Sequence, residues 1–79
     1  MSDLSEEIIK IGKEYIGLGA ESYLKRQCKN HLDKNLDKVE KSDLDDLADW
    51  VEKKASLVMD EDDVSEMAKE IEDLRYKTI

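Results

Sequence analysis

Residues 42–58 read SDLDDLADWVEKKASLV, and their periodicity decides the class of the whole chain. Leu44, Leu47, Ala48, Val51, Ala55 and Val58 recur at spacings of three and four, which gathers them on one face of a helix. Ser42 and Asp45 have the spacing of an N-cap and an acidic third residue, so the helix is expected to open at Ser42. Trp50 falls about 100° from the centre of this stripe, and Leu57 lies two turns further along nearly the same line. Together they make a second apolar strip, covered either by the 35–41 connection or another helix of the same chain, or else by a partner. Trp is enriched at interfaces because one rigid side chain supplies a large contact area. Tyr76 and Ile79 would extend such a patch, and Asp46 and Asp49 would flank it with acid.

The same periodicity extends outward in both directions. On the C-terminal side, Asp60-Glu61-Asp62-Asp63 interrupts the pattern. Asp63 with Glu66 repeats the capping arrangement before Val64, Met67, Ala68, Ile71 and Leu74, which predicts a fourth helix ending near residue 75. On the N-terminal side, residues 35–41 read as a connection, with Leu36 and Val39 as anchors onto the core. Ala20, Tyr23, Leu24, Cys28 and Leu32 form the stripe of a second helix, roughly 20–34. Leu4, Ile8, Ile11, Tyr15 and Leu18 form that of a first helix starting near residue 4, widened by Ile9 and Ile16, with Asp3 placed to cap it.

The first two stripes face nearly opposite ways if helices 1 and 2 are continuous, and Gly17 and Gly19 stand where the phase changes. Each glycine costs about 1 kcal/mol relative to Ala inside a helix. A break is therefore favoured over one long helix. With no period-2 alternation anywhere, the expected fold is all-α: a single domain spanning residues 1–79, built as a small bundle of four short amphipathic helices.

Composition bounds what such a bundle can do. The chain has 79 residues, 43% of them charged, with a net charge of −8 and a single cysteine. An acidic surplus argues against duplex nucleic acid, whose binding depends on Lys and Arg displacing counterions. No apolar run approaches the roughly 18 residues that span a bilayer, and the N-terminus lacks the order of a signal peptide. The expectation is a cytoplasmic protein that does not engage membranes. Leu, Ile and Val total 19, just above the level at which highly charged chains stay disordered. A core this small gains from self-association, so a homodimer is expected.

Charge is unevenly spread. Residues 25–41 carry net +3 and residues 42–74 net −10, which sets a basic second helix against an acidic C-terminal half. Lys25, Arg26, Lys29, Lys34, Lys38 and Lys41 either offset those acids within one molecule or leave an acidic docking surface on helices 3 and 4 that steers a basic partner.

Reactive groups are few. Cys28 and His31 lie one helical turn apart, but a structural zinc needs four ligands and the chain has no other Cys or His. Asp60 begins an acidic run without the glycine and glutamate that a calcium loop requires at its sixth and twelfth positions, where Ser65 and Ile71 stand. Size, acidity and four-helix character resemble the acyl carrier proteins. Their attachment motif is Asp-Ser-Leu at a helix start, whereas this chain has Lys41-Ser42-Asp43-Leu44, and Ser42 is accounted for as a cap. Neither a catalytic set, a metal nor a cofactor is expected. The leading expectation is a non-enzymatic protein–protein interaction or regulatory module, its surface formed by Trp50, Leu57, Asp46, Asp49 and Tyr76. The alternative is a small-ligand or prosthetic-group carrier, its ligand held near Tyr15, Tyr23, Cys28 and His31.

Overall fold

The computed structural model describes residues 3–57 and 59–77. Val58 and Ile79, expected on the third stripe and in the C-terminal patch, lie outside the described residues. Four α-helices and no strand occur among the described residues: α1 (Asp3–Tyr15), α2 (Ala20–Gln27), α3 (Leu44–Ala55) and α4 (Glu61–Asp73). The all-α bundle predicted from periodicity is the observed fold. No helix among the described residues is long and apolar enough to cross a membrane.

Helices α1 and α2 are separate. Gly17 adopts φ +91°, a left-handed conformation that ends α1, and the Ala20 amide then donates to the Gly17 carbonyl at 3.1 Å to open α2. Each helix can thus turn its own stripe inward. Because α1 ends at Tyr15, Leu18 never joins the stripe on which it was expected and is fully exposed instead.

The helices pack in a ring, α1 against α2 and α4, and α3 against α2 and α4, with the most extensive interface between α3 and α4. Helices α2 and α4 therefore stand on opposite sides of the core. Ile8, Leu24, Leu44, Leu47, Met67 and Ile71 are fully enclosed there, one or two from each helix. Leu36 and Val39 are buried as the anchors expected of the 35–41 connection. Gly12, inside α1, marks a close approach of α1 to α2: a Cβ there would stand 2.7 Å from Leu24 Cδ1 and 3.2 Å from Ala20 Cβ.

Several boundaries differ from the sequence reading, each for a local reason. Asp3 is already helical, so its carboxylate serves the positive end of α1 rather than the cap position. The second helix changes to an i→i+5 π turn over Cys28–Leu32 and stops at Asp33, whose φ of 54° is left-handed. Ser42 does not cap α3. It lies in a 3₁₀ turn, Lys41–Asp43, whose start is held by Asp43: its Oδ2 accepts from the Glu40 amide at 2.9 Å and from Lys34 Nζ at 2.6 Å. That lysine and backbone amide hold the Asp43 carboxyl below the usual carboxylate range. Helix α4 starts at Glu61 with Asp60 extended at the cap position, three residues before the cap expected at Asp63, so three further acids lie in its first turn. Negative charge is favourable at that end of a helix.

Candidate interaction surface

The end of α1 and the α3–α4 turn meet at one end of the bundle. The 3₁₀ turn Lys41–Asp43 and the C-terminal 3₁₀ turn, Leu74–Tyr76, pack on each other beyond the last turn of α4. At the first end Tyr15, Leu57, Met59, Asp60 and Asp63 line one open depression. Leu57 is 81% exposed, and Leu18 is exposed on the neighbouring turn. Met59, Ile16 and Tyr15 are partly buried, packed against the core. The α3–α4 turn thus presents an exposed apolar side chain directly beside the acidic start of α4.

Tyr15 is fixed in this setting by α4. Its hydroxyl donates to a Glu70 carboxylate oxygen, and that hydrogen bond, with burial and the Glu70 charge adding to it, pushes the phenol up to about 12. The phenol therefore stays protonated and orients the ring between α1 and α4.

Trp50 is half-buried on α3, and its ring is covered from within the chain. His31, on the π turn after α2, stacks on the indole with ring centroids 3.9 Å apart and planes 7° from parallel. The Lys53 ammonium lies 5.0 Å from the same ring, a cation–π placement. The strip of Trp50 and Leu57 is thereby divided into one residue stacked on the π turn after α2 and one facing solvent. Asp46 and Asp49 are exposed on α3. Tyr76 is 75% exposed, but it lies beyond the far end of α4, about 20 Å from the Leu57 end at 1.5 Å of rise per residue. Its ring lies 5.1 Å from the Arg75 guanidinium, which also donates to Asp45 at 2.6 Å.

The four residues named for a bound ligand occupy different environments. Cys28 is completely buried, and burial, reinforced by the charge of Asp43, pushes its thiol up to about 11. A thiol so placed is a packing group, since nucleophilic attack and metal binding need thiolate. Tyr23 is partly buried with its hydroxyl unpartnered, and burial raises its pKa. Tyr15 is bonded to Glu70 and His31 is stacked on Trp50. Among the described residues, no three His, Cys, Asp or Glu side chains are grouped to hold a metal ion.

Met59 entered no sequence reading of the surface. Its signal was available: an apolar residue directly after Leu57 and Val58 and directly before an acidic run. Compared with protein-family models, with curated proteins and with solved structures, the chain matches none of them.

Proposed function

We propose that the protein is a non-enzymatic interaction module that binds another protein, or a second copy of itself, through the Leu57 end of α3 and the acidic outer faces of α3 and α4. The observation that carries this reading is the 81% exposure of Leu57 beside Asp60, Glu61, Asp62 and Asp63, all of which are exposed. An exposed apolar side chain costs little alone, but joined to partly buried Met59 and Tyr15 and rimmed by charge it has the make-up of a recognition patch. The buried thiol and the stacked imidazole support the same reading, because each serves internal packing. A cytoplasmic setting fits the single thiol.

A photo-crosslinking amino acid placed at position 57, with the same residue at exposed Ser22 on α2 as control, tests this in extract of the native source. A discrete adduct from position 57 that is missing from position 22 is expected. Equal or no crosslinking from the two positions would overturn the reading. Light scattering across a concentration series tells self-association from a foreign partner: a mass rising toward twice 9.1 kDa identifies a second copy.

A further inference from the structure

The depression beside Leu57 combines three chemistries that one kind of side chain satisfies. Asp60 and Asp63 supply carboxylates, Leu57 and Met59 supply apolar walls, and Tyr15 supplies an aromatic ring anchored through Glu70. Lysine and arginine have a matching division, an apolar stem that packs on hydrocarbon and a cationic head that seeks carboxylate or an aromatic face. We propose that this depression receives a Lys or Arg side chain from a partner protein, on a segment whose adjacent apolar residue packs on Leu57. The inference rests on the interaction-module reading and names the chemistry of the partner.

Charge complementarity selects a foreign segment over a symmetric pair of copies. Two copies joined through this end would bring Asp60, Glu61, Asp62 and Asp63 of each chain together, and like charges across an interface oppose association. A cationic segment is instead drawn to that rim, which speeds its encounter and makes binding dependent on salt.

The test uses the full chain, ¹⁵N-labelled, and two synthetic amphipathic helical peptides of leucine with lysine and arginine. The second peptide has glutamine at every basic position. The basic peptide should shift the amides of residues 15–18 and 57–63 ahead of all others, and the glutamine peptide should bind at least tenfold more weakly. Leu57→Ser, and separately the double change Asp60→Asn with Asp63→Asn, should each weaken the basic peptide at least fivefold. Leu57 is exposed, Asn at position 60 retains the capping preference of Asp, and Asp63 is an exposed residue of the first turn whose charge contributes only modestly at a helix start, so these variants keep the fold, with circular dichroism as the check. Shifts spread over all of α3 and α4 and indifferent to Leu57→Ser would overturn the proposal, as would equal binding of the glutamine peptide. So would the same localised shifts from submillimolar magnesium chloride alone, which would mark a simple cation site. If position 57 still crosslinks a protein while the basic peptide fails to bind, the interaction module stands and this choice of partner falls.

Discussion

The bond from the Tyr15 hydroxyl to Glu70 joins α1 to α4 and makes stability depend on alkaline pH in a defined direction. A phenol titrates near 10 in an unfolded chain, whereas Tyr15 is held up to about 12 in the folded one. Between those values the folded state keeps a proton that the unfolded state has released. The contribution is therefore complete below about pH 10 and is lost as pH rises toward 12. Urea denaturation at a series of pH values should show Tyr15→Phe losing less stability over this interval than the parent, and equal losses would count against the bond. Tyr23, raised by burial, adds a slope of the same sign to both proteins and drops out of the difference. Cys28 allows a second measurement on a single side chain. Fully enclosed and with its thiol raised to about 11, it should react with Ellman's reagent at neutral pH only when the bundle opens. Its labelling rate should rise in step with global unfolding as urea is added, and rapid labelling in buffer alone would show the thiol to be accessible.

At the scale of helices, the tight contact between α1 and α2 at Gly12 sets two effects against each other. Gly12→Ala gains about 1 kcal/mol of helix propensity, but its methyl would meet Leu24 Cδ1 at 2.7 Å. Leu24 is completely enclosed, so relief requires the two helices to move apart, and overpacking of this kind costs about 1–3 kcal/mol. A net loss is expected, read as a lower urea midpoint, and shortening the neighbour with Leu24→Ala should make the two changes less than additive. Stabilisation by Gly12→Ala alone would mean that the helices separate freely. Such a contact was illegible in the sequence, where Gly12 lies among the apolar positions of α1 without breaking their period. The stripes themselves were legible because periodicity records which face each helix buries, and the α1–α2 break was favoured because two stripes of opposite phase on one straight helix need cover on both sides and two glycines stand where the phase changes. Helix starts were less so. Asp43 and Ser42 are both capping residues, and only the approach of Lys34 and the Glu40 amide decides between them. The pairing of His31 with Trp50 was hidden for a related reason. It depends on a π turn that re-aims the end of the second helix, and on α2 lying against α3, neither of which leaves a periodic trace.

Over the whole molecule, charge works against cohesion. Helix α4 carries net −6 and packs most extensively on α3, which carries net −2. Within α4, Asp62, Glu66 and Glu70 repeat at i,i+4, the spacing at which like charges destabilise a helix. The part-buried pair Lys34–Asp43 and the exposed pair Arg75–Asp45, both at 2.6 Å, oppose this, but an exposed pair contributes only about 0–1 kcal/mol. Basic Lys25 and Arg26 lie on α2 and Lys29 on the π turn that follows it, across the core from α4. Repulsion spread over many separated acids is screened once the Debye length falls to about 10 Å near 0.1 M salt, whereas pairs in direct contact are screened less. The melting temperature should therefore rise as sodium chloride is increased from about 0.01 to 0.3 M. Glu66→Lys, replacing the central member of the acidic repeat, should raise the low-salt melting temperature and flatten its dependence on salt. Far-ultraviolet circular dichroism melts of the two proteins decide the matter: a melting temperature that falls with added salt would mean that the contacting ion pairs, rather than the surplus of acid, dominate the electrostatics of the fold.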